Sequence, residues 1–144
     1  MRRCNLIFVI LAFLFVGACQ DGTGKSRNAQ QSGRQTAPKG IVITDNRELD
    51  FSQFKVTLLE IGATRCIPCR KMQPIIKEIA EQFPDEVQVV FYDVWKDPTP
   101  ANKYGVRLIP TQVFLDKNGQ EFFNHVGFFP KEEILKVLEK KDVK

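Results

Sequence analysis

From Ile41 to Lys144 the chain has only two cysteines, Cys66 and Cys69, together with a single histidine, His125, and a single tryptophan, Trp95. These are fewer than the four Cys or His ligands a structural zinc site takes, so no metal is expected. A bridge between two such close cysteines closes almost no loop. It would remove little unfolded-state entropy and do little to staple the fold. An excess of one charge is also missing. Ile41–Lys144 carries 15 basic and 16 acidic residues, so the formal +4 of the whole chain belongs to the segment before it. The basic surface that marks nucleic-acid-binding domains is therefore absent, and no nucleic-acid partner is expected. There is no internal repeat, and no apolar run reaches the roughly 20 residues that a transmembrane helix needs.

The N-terminus has a different composition. "MRRCNLIFVILAFLFVGAC" places two arginines before an apolar run from Leu6 to Val16, followed by small residues. A positive start, an apolar core and a small-residue processing site form a signal-peptide pattern, here residues 1–18. Val16-Gly17-Ala18-Cys19 resembles the bacterial lipobox, which implies that Cys19 is lipidated and begins the mature protein. Ordinary secretion with a free Cys19 thiol and an uncleaved N-terminal anchor are the alternatives. Residues 19–40 are rich in Gln, Gly, Ser and Thr and have no large apolar side chain after Cys19. Such a segment cannot bury enough surface to offset its ordering entropy, so it reads as a flexible tether. Its coil span is roughly 25 Å, and about 70 Å when extended. The expected location is outside the cytoplasm, lipid-anchored to a membrane and facing the periplasm, a context in which disulfides persist.

Residues 41–144 form the expected folded domain. "IVIT" is a short apolar, β-branched run that reads as a first strand, and "KVTLLEIG" (Lys55–Gly62) and "VQVVFYDV" read as buried strands. Between them Met72, Ile75, Ile76, Ile79, Ala80 and Phe83 recur at helical spacing. "PTPANKYG" suggests a short helix ended by Gly105. "TQVFLD" and "QEFFNHVG" flank Lys117-Asn118-Gly119 as a hairpin. "PKEEILKVLEKK" begins with a proline, has acids early and lysines late, and reads as a final helix. The order β, β, α, β, α, β, β, α predicts an α/β domain, a central mixed sheet with helices on both faces.

Cys66 and Cys69 lie between a buried strand and an amphipathic helix. A helix N-terminus favours a thiolate at Cys66, and the thiolate is the nucleophile of disulfide exchange. Cys69, one turn along, is placed to resolve the mixed disulfide. A CxxC in this position reads as a pair that exchanges electrons.

"CIPC", Pro74, "KYGVRLIPT" and "KNG…HVG" occur in an order that resembles the thioredoxin family, across essentially all of Ile41–Lys144. The resemblance implies a thioredoxin fold and a thiol–disulfide oxidoreductase, with no cofactor beyond the redox-active Cys66–Cys69 disulfide. It also implies a cis-proline at Pro110 that faces the cysteines and positions substrate. Glu60, six residues before Cys66, stands where the family carries a buried acid, usually Asp. Burial without a cationic partner raises such a pKa and suits Glu60 to take and return the proton of Cys69. The implied substrate groove is Ile67, Pro68, Ile109, Pro110, Val126 and Gly127. Arg65 replaces the family's usual tryptophan and stands next to Cys66, where it either supports a thiolate or is simply solvated. Trp95 reads as structural and His125 as a partly exposed strand residue. No histidine separates the cysteines and Thr111 follows the proline, both of which resemble the reducing branch. A reductant of exported disulfide proteins, recharged by a membrane electron donor, is the implied role, with cytochrome c maturation as one client pathway. A disulfide oxidase or isomerase and a non-catalytic binding module are the other readings. Nothing in the sequence demands more than a monomer.

Overall fold

The computed structural model describes residues 39–45 and 47–144. The signal segment, Cys4, Cys19 and nearly all of the tether lie outside the described residues. β1 is Val42–Ile43, and a 3-10 turn at Phe51–Gln53 follows, capped by the Asp50 carboxylate, which accepts from the Ser52 N–H. Then come β2 (Val56–Gly62), α1 (Ile67–Gln82), β3 (Val87–Asp93), α2 (Thr99–Lys103), β4 (Thr111–Asp116), β5 (Glu121–Val126) and α3 (Lys131–Glu139). This is the element order expected from the sequence pattern.

The five strands lie in the order β1-β3-β2-β4-β5. β2 is central, parallel to β3 and antiparallel to β4, and all seven of its residues are buried. That explains why its sequence reads as an apolar run rather than an alternation. The β4–β5 hairpin closes at Gly119, whose φ of +73° is the left-handed conformation that glycine adopts without strain. The pairing slips between Phe114 and Leu115, so the β4–β5 ladder carries a bulge.

Because side chains alternate along a strand, the sheet separates two cores. On one face Val56, Leu58, Val89, Phe91 and Phe114 pack against Met72, Ile76 and Ile79 of α1 and Ile134 and Leu138 of α3. Phe114 meets Phe122, Phe123 and Phe129 edge-on, with ring centroids 5.6–6.3 Å apart. On the other face Leu59, Ile61, Val90, Val113 and Leu115 pack with Ala101 of α2 and with Tyr104 and Val106 just beyond it. Among the described residues, no helix is long and apolar enough to cross a membrane.

Candidate active site

The site is built at the C-terminal end of β2. A tight turn follows the strand, closed by the Cys66 N–H donating to the Ala63 carbonyl at 3.1 Å. Cys66 is the N-cap of α1, and Pro68 occupies its first turn, where a missing N–H costs nothing. Cys66 and Cys69 are joined in a disulfide with their Cα atoms 5.2 Å apart. The Cys69 N–H donates to Cys66 Sγ at 3.3 Å. When the pair is reduced, that N–H and the helix dipole favour a thiolate at Cys66. Cys66 is half-buried and Cys69 fully buried, so only the outer sulfur can be reached from solvent.

Gly62 makes this packing possible. A Cβ there would lie 3.2 Å from both Cys69 Cβ and Cys69 Sγ, and 3.3 Å from a Phe91 ring carbon. In the sequence pattern Gly62 marks only the end of a strand. The available signal was a glycine at the end of an otherwise unbroken buried strand, which marks a close approach.

Two residues earlier and on the same face of β2, Glu60 is fully buried. Its Oε2 accepts from Gln112 Nε2 at 2.9 Å, across the Glu60–Gln112 register of β2 and β4. Glu60 Oε1 and Gln112 Oε1 have no partner. Burial pushes the Glu60 carboxyl up to about 8, and the Gln112 donor only partly offsets this. The other buried polar side chains among the described residues are Thr57, Gln88, Thr111 and Gln112, so no buried cation neutralises Glu60.

The Ile109–Pro110 peptide bond is cis. Thr111 pairs with Ile61, which places Pro110 beside the end of β2 from which the cysteine loop leaves. The Pro110 carbonyl accepts from the Gly127 N–H at 2.8 Å, and Gly127 has a φ of +101°. Thr111 Oγ1 donates to the Leu108 carbonyl at 2.7 Å. Arg65, Ile67, Pro68 and Val126 are exposed, Ile109 and Gly127 half-buried, and Pro110 buried. An open cavity of about 210 Å³ runs between Leu108, Thr111 and Val126. Leu108, 67% exposed, belongs to this apolar rim, although the motif alone did not single it out.

Trp95, read from the sequence as structural, is 61% exposed. Asp93 holds its turn against the cysteine loop: Oδ1 accepts from the Trp95 N–H at 3.1 Å, while Oδ2 accepts from the Thr64 N–H and hydroxyl at 3.2 and 2.9 Å. Burial acts to raise the Asp93 carboxyl, but the bonds from Thr64 and Trp95 outweigh it and hold the pKa below the usual value. His125 stacks on Phe129 with centroids 4.1 Å apart, and its Nε2 lies 3.3 Å from the Phe128 carbonyl. Among the described residues, no group of three or more His, Cys, Asp or Glu side chains is placed to hold a metal ion.

Comparison with known proteins adds sequence evidence to this geometry. A family model described as Thioredoxin matches residues 42–140. The thioredoxin of Staphylococcus saprophyticus is 34% identical over 100 residues, covering 69% of this chain and 95% of that protein. Thioredoxin 1 of Synechococcus elongatus is 39% identical over 83 residues, covering 58% of this chain and 77% of its own. The solved structure of a mutant thioredoxin from Halobacterium salinarum superposes with a TM-score of 0.66 at 26% identity. That match covers 76% of this chain and 96% of the other.

Proposed function

We propose that this chain, which belongs to the thioredoxin family and is a thiol–disulfide oxidoreductase of the protein-disulfide reductase type, reduces disulfides of exported proteins from a lipid tether at Cys19. The observation that carries the chemistry is the Cys66–Cys69 disulfide at a helix N-terminus, with one sulfur reachable and the other buried. The export and anchoring rest on the signal pattern of residues 1–18 and on Val16-Gly17-Ala18-Cys19. Residues 19–40 then act as the tether and 41–144 as the working domain. The domain works as a monomer, without a cofactor beyond its own disulfide.

The reaction runs in two exchanges. The Cys66 thiolate attacks a substrate disulfide, forms a mixed disulfide and releases one substrate thiolate. Cys69 then gives its proton to the Glu60 carboxylate, and the new thiolate attacks Cys66 Sγ. This releases the second substrate thiolate and closes the Cys66–Cys69 bond. Net charge is conserved: the dithiol site with one thiolate and one carboxylate becomes a neutral disulfide and a neutral acid, and two substrate thiolates leave. Ile67, Pro68, Ile109, Pro110, Val126 and Gly127 line the seat for the extended substrate, and Arg65 flanks the nucleophile. A membrane electron donor returns the pair to the dithiol.

The direction of transfer is tested by the reduction potential of the domain, equilibrated against glutathione or dithiothreitol. A value below about −230 mV supports a reductase, and one above about −180 mV turns the reading to an oxidase or isomerase. The tether is tested by Cys19→Ala, which moves the protein from the membrane fraction to the soluble one. If the variant sediments with membranes as before, Cys19 is not the anchor.

A further inference from the structure

Among the described residues, Glu60 and Gln112 form the one buried pair in which two unpartnered oxygens sit on groups already joined by a hydrogen bond. Gln112 Nε2 occupies Glu60 Oε2, which leaves Glu60 Oε1 and Gln112 Oε1 as acceptors without donors. An unsatisfied buried polar atom keeps the desolvation penalty of its group, so leaving two of them on one pair is unfavourable. A single proton removes both costs. Placed on Glu60 Oε1, it gives that oxygen an O–H, and Gln112 Oε1 is the acceptor the same carboxamide presents. A carboxylic acid and a primary carboxamide are complementary in this way, each giving one donor and one acceptor.

We propose that Gln112 is a positioning residue that makes Glu60 Oε1 the atom that takes the Cys69 proton, and that carboxyl and carboxamide then close a ring of two hydrogen bonds. This rests on the reductase reading above. It adds a residue from a different strand to the proton transfer and states why the proton stays once it has moved. The structure holds the disulfide, and in it Gln112 Nε2 donates to Oε2 while Glu60 Oε1 and Gln112 Oε1 are the two oxygens that one proton joins; in the dithiol form that proton is still on Cys69. When Cys69 attacks Cys66 Sγ, its proton passes to Oε1, the second hydrogen bond forms, and the acid is held in the disulfide form.

On β5, His125 stands opposite Gln112, half-buried and stacked on Phe129, and is a titratable neighbour of the pair. On the same face, β3 presents Phe91 opposite Glu60, α1 presents Cys69, Met72 and Ile76, and α3 presents Ile134 and Leu138. The nearest other carboxylate on that face, Asp93, is engaged by Thr64 and Trp95 at the end of β3. In this disulfide form burial favours the neutral acid, with the carboxyl up to about 8.

The test is infrared difference spectroscopy of the whole protein, oxidised minus reduced. A protonated-carboxyl band is expected in the disulfide form, absent in Glu60→Gln, and shifted to higher frequency in Gln112→Leu, where the ring cannot close. In stopped-flow turnover, Gln112→Leu is expected to slow resolution of the mixed disulfide by about tenfold, part of the factor that general acid–base catalysis supplies. The initial Cys66 attack stays unchanged, whereas a merely structural defect slows both steps. Should Gln112→Leu fold poorly, the unsubstituted protein answers the same question: the Gln112 side-chain amide resonances titrate together with Glu60. A carboxyl band at the same frequency in Gln112→Leu, or amide resonances indifferent to pH, overturns the ring. An oxidised protein with no carboxyl band at all instead removes Glu60 as the proton acceptor. Loss of the reductase reading shows separately, as disulfide reduction that survives Cys66→Ser.

Discussion

Each face of the sheet buries one polar pair across neighbouring strands, and the two pairs differ in kind. On the face covered by α1 and α3, Glu60 of β2 meets Gln112 of β4 near the end that carries the cysteines. On the face covered by α2, Thr57 Oγ1 donates to Gln88 Oε1 at 3.3 Å, five residues before the end of β2. Both leave buried atoms unpaired: Gln88 Nε2 in one, and Glu60 Oε1 with Gln112 Oε1 in the other. The Thr57–Gln88 pair has no proton to gain and keeps its shortfall under all conditions. The Glu60–Gln112 pair can gain one, so its environment changes with pH and with the redox state beside it. An unsatisfied buried atom is a fixed cost where nothing titrates, and a stored preference for a proton where something does.

The largest expected contrast between the faces is in activity. Cys66→Ser lowers turnover of a model disulfide to background in a dithiothreitol-coupled assay, a loss of more than about a thousandfold for a missing nucleophile. Thr57→Val in the same assay leaves turnover unchanged. A fall in turnover with Thr57→Val would mean that the two faces are not separable.

Next comes stability against pH. The Glu60 pKa is raised in the folded state to about 8, so between roughly pH 4.5 and 8 the folded protein binds a proton that the unfolded chain does not. The sign follows: stability from this group is fully present below the unfolded pKa and is lost as pH rises through the folded one. At about 1.4 kcal/mol per unit, the loss by pH 9 is on the order of 4 kcal/mol. Urea unfolding of the oxidised domain at pH 5 and pH 9 is expected to show this fall in the parent protein and little of it in Glu60→Gln. Equal pH dependence in both would place the titration elsewhere.

A smaller effect is expected at Gly62. Gly62→Ala pushes a methyl against the Cys69 sulfur and Phe91 and is expected to cost about 1–3 kcal/mol in the oxidised form, read as a shift in the urea midpoint. A neutral substitution would show that Cys69 can withdraw from the strand. The smallest effect is Gln88→Leu, which removes a buried donor that has no acceptor but also the oxygen that accepts from Thr57, so the two offset and stability should stay within about 1 kcal/mol of the parent. A cost of several kcal/mol there would mean that the Thr57 bond outweighs the unpaired Gln88 Nε2.

The legible parts of the molecule were those whose cause is local. The Cys66–Cys69 spacing, the helical recurrence from Met72 to Phe83 and the turn at Gly119 are each dictated by neighbours a few residues apart, and the structure has these elements at the expected places. Gln112 was invisible as Glu60's partner because it lies 52 residues away, and only the β2–β4 register brings them opposite one another. The exposure of Trp95 has a related cause. A large aromatic residue after a buried strand is ordinarily drawn inward, but here Asp93 fixes the turn by its backbone and leaves the ring outside. Leu108 carried no pattern of its own, since its exposure depends on the bend into the Pro110 segment.

The edges of the sheet bear on how extended chains can meet this fold. Such chains carry unpaired backbone and add readily to any long, flat, open strand, which is how ordered aggregates begin. Here one edge is β1, only two residues long, and the other is β5, whose pairing is interrupted by the bulge at Phe114 and Leu115. Neither offers a template on which a stray strand can lengthen. An extended chain is thereby denied a hold along the flank of the sheet.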